Sequence, residues 1–253
     1  MARGTHADAM VPYEPLNVPK PFGTETWIVD GPEIRMDYGP FHVPFPTRMV
    51  VVRLASGDLW IHSPISPDDM LFRAIDALGP VRYLIAPNTL HYWYMADWLE
   101  RYPAASSFAV GDLQTKAKRP FRIDSVLDDA AAPPPWADEI DWLLIAGSVV
   151  DEAVFHVRAA RLLIVTDLIE NFEPARMRNR LLRWLIEMGG ADGSTPIDLR
   201  MTFRGNRQEV ARRIRQVLDW RPQRVTMAHG RPYAVGAERE LDRAFRWALK
   251  PAR

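Results

Sequence analysis

Three residues that can ligate a metal ion follow apolar, strand-like runs of the sequence. His91 comes shortly after "VRYLIAP", Asp167 ends "RLLIVTD", and His229 ends "RVTMAH". In α/β folds, functional sites gather beyond the carboxyl ends of strands, where loops bring side chains together above a rigid scaffold. Asp167 gives the strongest signal, because an acid at the end of an apolar strand is costly to bury unless a cation or several donors face it.

Each of these residues also has an interpretation without a metal. His91 at a helix start can bond to loop backbone, Asp167 can cap the turn that follows it, and His229 before Gly230 can be a turn histidine. Other chemistries lack support. The sequence has no cysteine, no Gly-x-Ser-x-Gly nucleophile elbow and no glycine-rich phosphate loop, so nucleophilic catalysis and nucleotide-phosphate binding by such a loop have little support.

The composition is that of an ordinary globular protein, with 47% hydrophobic and 25% charged residues in a chain of 253. No apolar run approaches the roughly 20 residues that span a bilayer, and no signal peptide is evident, so we expect a cytoplasmic protein without membrane contact. From residue 171 onward, Lys and Arg outnumber Asp and Glu by 18 to 9. Such an excess can mark an anionic partner, but these arginines are spread over several helices. We interpret them as solvated helix faces and do not expect nucleic acid as a partner.

Strand-like runs lie in both halves of the chain. "RMVVVRLASGDLWIHSP" predicts a hairpin around the turn at residues 56–58, and "TWIVDGPEI" predicts a strand that turns at Gly31-Pro32. "IDWLLIAGS", "EAVFHVR" and "RLLIVTDLI" predict three strands in quick succession. Residues 112–135 contain few apolar runs and predict a surface excursion that can roof the pocket.

Helical patterns alternate with these strands. Ser66 is predicted to cap a helix that starts at Pro67, and a helix is predicted over residues 174–189. Asn206 with Glu209 resembles a capping box at the head of "RQEVARRIRQVLDW". A final helix carries Leu241, Ala244, Phe245 and Ala248 on one face. The predicted class is mixed α/β (α+β), with an extended N-terminal segment over residues 1–23 and a single domain over residues 24–253.

The order of these elements resembles the metallo-β-lactamase fold, a four-layer αββα sandwich of two mixed sheets covered by helices. Within that superfamily, the chain is similar to a divergent branch known as domain of unknown function 4336. The resemblance covers about residues 24–249 and rests on "APNTLHYWY", on "EAVFH" followed by "RLLIVTDLI", and on "MAHG".

The superfamily's first motif, His-x-His-x-Asp-His, is largely replaced in this chain. Its last histidine falls on His91, its aspartate on Leu90, and its first two histidines on Ala86 and Asn88. The branch also carries a second histidine directly after the motif, where this chain has Tyr92. The resemblance therefore keeps one histidine of this motif as a candidate ligand.

The later superfamily ligands are partly retained. No histidine lies near residues 146–148, where the superfamily places its next one. The aspartate that bridges two metals in the superfamily matches Asp167, and the final histidine, followed by glycine, matches His229. What remains of a two-metal centre is His91, Asp167 and His229, so the resemblance implies one divalent ion at most: zinc, or iron or manganese.

The resemblance implies an uncharacterised metal-dependent, hydrolase-like protein acting on an unknown small-molecule substrate. His91, Asp167 and His229 are the expected metal ligands, and Asp167 and His91 the expected catalytic residues. Residues expected to line the pocket or to support the ligands are Asn88, His62, His156 and Tyr92. The alternative is a degenerate site without metal, in a catalytically inactive binding or scaffold protein on the same fold.

Overall fold

A computed structural model describes residues 10–38, 41–178, 183–184 and 188–250, without the side chains of residues 35–44. The strands are β1 Lys20–Gly23, β2 Thr26–Tyr38, β3 Phe41–Arg53, β4 Leu59–His62, β5 Val81–Ala86, β6 Ser106–Val110, β7 Ser125–Leu127, β8 Ile140–Ile145, β9 Glu152–Val157, β10 Leu162–Ile164, β11 Glu170–Asn171, β12 Asp192–Ser194 and β13 Arg224–Thr226. The α-helices are α1 Asp69–Asp76, α2 Met95–Arg101, α3 Leu113–Lys116, α4 Ile197–Thr202, α5 Arg207–Asp219 and α6 Ala237–Leu249. Short 3₁₀ turns span Pro174–Arg176 and Arg204–Asn206.

Two mixed sheets form the centre of the molecule. The larger has the order β1-β2-β3-β4-β5-β6-β7, antiparallel as far as β4 and parallel from β4 to β7. The smaller has the order β13-β10-β9-β8, in which β10 runs parallel to β13 and antiparallel to β9. A ribbon of β11 and β12 stands apart from both.

Alternating side chains of the smaller sheet divide the core into two layers. On β9, Phe155 packs with residues of the larger sheet, whereas Val154 packs with α5 and α6. On β10, Ile164 and Leu163 divide in the same way, as the two-residue period of a strand requires. Leu71 of α1 packs into the core of the larger sheet. The layers therefore run helix, sheet, sheet, helix, which confirms the predicted αββα sandwich.

Strand β2 runs further than its sequence predicts. The hairpin around residues 56–58 forms as expected, with Val52 opposite Trp60. The predicted turn at Gly31-Pro32 is wrong, because β2 continues through both residues and pairs with β3 on either side. A register shift between Gly31 and Ile34 absorbs the proline, which cannot donate to a ladder.

Two predicted helix caps are wrong. α1 is capped by Asp68 instead of Ser66, and the Asp68 carboxylate accepts a hydrogen bond of 2.7 Å from the amide of Leu71. Asn206 makes no side-chain cap at the head of α5, and Glu209 binds the arginines that follow it instead. The predicted buried face of α6 is confirmed. The helix predicted over residues 174–189 does not begin at Pro174, because residues Pro174–Arg176 form a 3₁₀ turn and Met177 bridges to Met10; residues 179–182 and 185–187 lie outside the described residues.

The remaining segments pack against this frame. Met10 bridges to Met177, and β1 adds an edge to the larger sheet within the predicted N-terminal segment. Residues 112–135 supply α3 and β7, and the amide of Lys118 donates to the Tyr92 hydroxyl at 2.8 Å. Among the described helices, none is both long and apolar enough to cross a bilayer.

Candidate metal site

Three loops that follow strands deliver the candidate ligands to one point. His91 follows β5 of the larger sheet, while Asp167 and His229 follow the parallel neighbours β10 and β13 of the smaller sheet. One ligand atom of each residue lies within 4.8 Å of the other two. Their side chains are 9%, 12% and 3% exposed, respectively. The group is therefore nearly buried and close enough together to hold a metal ion.

The tautomer of His229 is fixed by a backbone carbonyl. Its Nδ1 lies 2.8 Å from the carbonyl oxygen of Pro46, which can only accept, so Nδ1 carries the hydrogen. In the neutral ring, Nε2 is then an acceptor. It lies 3.2 Å from Oδ1 of Asp167, which is also an acceptor. Two acceptors at this distance require a positive species between or beside them, either a proton or a metal ion.

His91 meets the same carboxylate oxygen from the other side. Its Nε2 lies 3.3 Å from Oδ1 of Asp167, and its Nδ1 lies 2.9 Å from Oγ of Ser63. A serine hydroxyl can donate or accept, so His91 can present Nε2 either as a donor or as a lone pair. Ser63 has a φ of 52°, a left-handed conformation that is costly for a side chain other than glycine. The backbone strain at Ser63 thus accompanies a side chain that orients a candidate ligand.

Asn88 binds the second oxygen of Asp167. Its Nδ2 donates to Oδ2 of Asp167 at 2.6 Å and to the hydroxyl of Thr166 at 2.9 Å. Its Oδ1 accepts the backbone amides of Leu90 and His91, each at 2.8 Å. This fully buried amide therefore links the loop of one ligand to the carboxylate of another.

Glu152 holds the loop that carries Asp167. Its buried carboxylate accepts the backbone amides of Thr166 at 2.6 Å, and of Asp167 and Leu168 at 2.9 Å each. Three amides turned toward one acidic side chain fix the path of the chain directly after β10. The orientation of Asp167 thus depends on Glu152, an acid that is not itself a member of the candidate metal-ligand group.

Arg48 holds the loop that carries His229. Its Nη1 donates to the carbonyl oxygens of Met227 at 2.8 Å and of Gly230 at 2.7 Å, which flank the histidine. Its Nε donates to Asp30 at 2.9 Å. Arg48 is 2% exposed, so these charge-assisted bonds form away from solvent.

The pKa values of the two candidate histidine ligands are shifted in opposite directions. Burial works against ionisation of His91, but the carboxylate of Asp167 outweighs it and raises the pKa of His91. For His229 burial prevails, and its pKa falls below the ordinary value. Burial also opposes the charge of Asp167, yet its interactions with both histidines hold the pKa of that carboxyl far below its usual range. Asp167 is therefore a stable anion at neutral pH.

The sequence profile of the family described as domain of unknown function (DUF4336) matches residues 35–178, more than half of the chain. The chain belongs to the DUF4336 family. No curated protein sequence matches it. Because the match includes Asn88, His91, Glu152 and Asp167, most of the candidate site lies within the family region; His229 lies beyond it.

Solved structures show the fold of this DUF4336 protein. The metallo-β-lactamase from Hirschia baltica has a TM-score of 0.60 at 14% identity, with 93% of this chain and 98% of that chain covered. The FIM-1 metallo-β-lactamase from Pseudomonas aeruginosa, in its mono-zinc form, has a TM-score of 0.56 at 12% identity, with 94% and 99% covered. The metallo-β-lactamase from Pontibacter korlensis has a TM-score of 0.56 at 11% identity, with 92% of this chain and 99% of that chain covered. The DUF4336 chain thus has the metallo-β-lactamase fold.

Of the supporting residues expected from the sequence, the structure brings Asn88 to the ligands. The ring of Tyr92 is instead stacked on Phe121, at 5.9 Å between centroids. His156 lies further along β9, 3.2 Å from Asp141, with its ring stacked on Trp220. Among the described residues of this DUF4336 protein, the side chains of Tyr92 and His156 therefore contact other partners and not the three candidate ligands.

His62 lies in the interior between the sheets. It is 1% exposed, stacks on Trp60 and meets the edge of Phe155. Neither ring nitrogen has a hydrogen-bond partner in the described part of the chain. Burial, reinforced by the charge of His91, lowers the pKa of His62 to about 3. His62 is therefore a neutral core residue whose pKa is affected by the nearby candidate ligand His91.

Three residues that sequence reasoning missed hold the candidate ligands in place. Ser63, Glu152 and Arg48 each bind a ligand residue or its loop. The sequence carried one usable signal, since Arg48 and Glu152 are charges at the start of predicted strands that are mostly apolar. No local sequence pattern could identify their partners, because Arg48 and Gly230, for example, are 182 residues apart in the sequence.

Proposed function

We propose that this protein is a metal-dependent hydrolase with a mononuclear site formed by His91, Asp167 and His229. The observation that carries the proposal is the fixed tautomer of His229. Its Nδ1 hydrogen is committed to Pro46, so the lone pair of Nε2 points at an ionised carboxylate oxygen. A divalent cation relieves this conflict while keeping the histidine neutral, as its lowered pKa favours.

The spacing of the donor atoms fits a metal better than a proton. Charge-assisted hydrogen bonds between nitrogen and a carboxylate run at about 2.7–2.9 Å. Both imidazole nitrogens lie further from Oδ1 of Asp167, at 3.3 Å for His91 and 3.2 Å for His229. Ligand atoms about 2.0–2.1 Å from a tetrahedral zinc ion lie roughly 3.3 Å apart. Two histidines and a carboxylate also suit iron(II) or manganese.

The contacts of Asp167 support one metal and not two. Its Oδ2 accepts a short hydrogen bond from Asn88, so only Oδ1 faces the histidines. The superfamily's aspartate bridges two metal ions. In this chain, the side-chain amide of Asn88 occupies Oδ2 of Asp167, the carboxylate oxygen that would bind the second ion. Leu90, at the place of the superfamily's motif aspartate, offers no ligand atom and is 40% exposed.

The chemistry follows from the donor set and the buried carboxylate. A divalent ion, when bound, supplies a Lewis acid that lowers the pKa of a water molecule and polarises an ester, amide or phosphoester. Asp167 contributes a fixed negative charge, held ionised by its low pKa. Asn88, Ser63 and Arg48 hold the three ligands in place, and such supporting partners typically contribute 10–100-fold to metal affinity or activity.

Elemental analysis of the purified protein tests the proposal, with His229→Ala as the ligand variant and His156→Ala as a matched control. Both histidines are buried, but His156 binds Asp141 outside the group. We expect about one equivalent of zinc, iron or manganese in the parent and in His156→Ala, and loss in His229→Ala. Absence of metal from all three proteins, even after reconstitution, would refute the proposal.

The alternative is a metal-free protein that binds a small molecule at the same place. Leu90 and Trp93, which flank His91 in sequence, are 40% and 47% exposed, so apolar contact surface is available beside the site. In that case a proton on His91, whose pKa is raised, balances Asp167. The metal analysis separates the two functions, because only the hydrolase requires a stoichiometric ion.

A further inference from the structure

A second concave site lies where strand β12 and helix α4 meet helix α6. It is a cleft of about 270 Å³. Its lining residues are Ser194, Arg200, Arg243, Arg246, Trp247 and Lys250. Positions 243, 246, 247 and 250 share one face of a helix because of its 3.6-residue period. Arg243 and Arg246 therefore lie in a row along α6, Lys250 follows directly after the end of that helix, and Arg200 of α4 lines the same cleft.

Arg200 is a partly buried cation without an acidic partner. Its Nε donates to the carbonyl of Thr195 at 2.6 Å, and its Nη2 donates to Oγ of Ser194 at 2.8 Å. Its guanidinium lies 5.9 Å from the ring centroid of Trp247. Burial lowers the pKa of Arg200, opposed only by the charge of Asp192. The side chain is thus held rigidly in the cleft, and no ion pair neutralises it among the described residues.

The other cations leave positive charge in excess. Arg243 is paired with Glu240 at 2.9 Å. Arg246 and Lys250 have neither a hydrogen bond nor an ion pair from their side chains within residues 10–38, 41–178, 183–184 and 188–250. Like charges gathered in one cleft repel one another, and a bound anion offsets that repulsion. Guanidinium groups in a fixed geometry are suited to phosphate oxygens.

We propose that this cleft binds a phosphate group carried by a small molecule, with inorganic pyrophosphate as its simplest probe. Drug-sized ligands occupy pockets of about 300–1,000 Å³, so a cleft of about 270 Å³ has room for the phosphate end of a small molecule. Arg200 and Arg246 bind the phosphate oxygens, Lys250 adds charge, and Trp247 forms the apolar wall. This site is independent of the proposed hydrolase centre.

Isothermal titration calorimetry of the full chain with pyrophosphate, in metal-stripped buffer at low ionic strength, tests the site. The test variant is Arg246→Gln with Lys250→Gln, since both side chains are exposed and unpaired, and circular dichroism checks its fold. Arg215→Gln on α5 is the control, an exposed arginine outside the cleft. The double variant loses two charged groups that contact phosphate oxygens, so we expect at least about tenfold weaker binding. The control should match the parent.

Absence of pyrophosphate binding by the parent overturns the proposal, as does equal binding by the parent and the double variant. Calorimetric titration with a short single-stranded oligonucleotide is the second arm of the test. If it binds far more tightly than pyrophosphate, with a steep salt dependence, and loses affinity in the double variant, the phosphate belongs to nucleic acid and the small-molecule assignment is overturned. Binding of pyrophosphate without the oligonucleotide supports the proposal as stated.

Discussion

Replacing Asn88 with alanine should weaken the metal site more than any other single change outside the three ligands. The amide makes four hydrogen bonds at 0% exposure: two it donates, to Asp167 and Thr166, and two it accepts, from the amides of Leu90 and His91. Alanine removes all four and leaves a buried carboxylate oxygen without its donor. The ligands then lose both the link between them and the orientation of Asp167.

The size of the effect follows from the partners. The bond to the ionised Asp167 is of the class that contributes about 1.5–3 kcal/mol, and each neutral bond contributes about 1 kcal/mol. Allowing for relaxation, Asn88→Ala should lower the free energy of unfolding by about 3–5 kcal/mol. Loss of ligand orientation should weaken zinc binding about 10–100-fold, which corresponds to roughly 1.4–2.8 kcal/mol.

Two measurements check this prediction. Urea unfolding gives the stability change, and competition with a chromophoric chelator gives the zinc affinity of the folded variant. Asn206→Ala is the matched control, because its amide makes one long contact of 3.4 Å with Ala146 on the surface and should change stability by less than about 0.5 kcal/mol. A folded Asn88→Ala protein that binds zinc as tightly as the parent would refute the role given to Asn88.

Three further predictions concern single side chains. Arg48→Met should destabilise the protein by about 2–4 kcal/mol in urea unfolding, because two buried carbonyls lose their donor and Asp30 keeps Lys20 alone as its cation. Arg53→Met, at an exposed ion pair, should change the stability by less than about 1 kcal/mol, and similar values for the two variants would contradict the role given to Arg48. Ser63→Ala and Ser63→Gly should weaken zinc binding equally, by about tenfold in the chelator competition, because both remove the hydroxyl that contacts His91. In urea unfolding, the glycine variant should be about 1 kcal/mol more stable than the alanine variant, because glycine adopts a φ of 52° without strain. For His62 the folded pKa of about 3 lies below the unfolded value, so the unfolded chain takes up the proton first and stability falls as the pH drops below about 6.5. His62→Phe should remove about 1 kcal/mol of the loss between pH 6.5 and 5.5, and an unchanged pH dependence of unfolding would show that His62 is not the titrating group.

The convergence of the candidate ligands was predictable because it rests on strand ends. Three strand-like runs end near His91, Asp167 and His229, and the carboxyl ends of strands gather in α/β folds. The layer order was predictable for a similar reason, since alternating apolar residues fix which face of β9 meets each core.

The errors arose where a local signal competed with a tertiary contact. Gly31-Pro32 is a strong turn signal, yet pairing of β2 with β3 on both sides keeps it inside a strand. Ser66 and Asp68 both suit a cap, and the sequence alone does not decide between them. Glu209 suits a capping box, but two arginines one turn later bind it.

The reduced site follows from what a buried carboxylate requires. Each oxygen of an ionised aspartate in the interior needs a cation or a donor, because an unmet charge there costs several kcal/mol. In Asp167, Oδ1 faces two histidines and Oδ2 faces an amide hydrogen of Asn88. An asparagine at this place can donate to the carboxylate and also accept the two loop amides, which a metal-binding histidine cannot do at once. Asn88 therefore stabilises the three candidate ligands, and in the proposed metal site the same bond denies Oδ2 to a second ion.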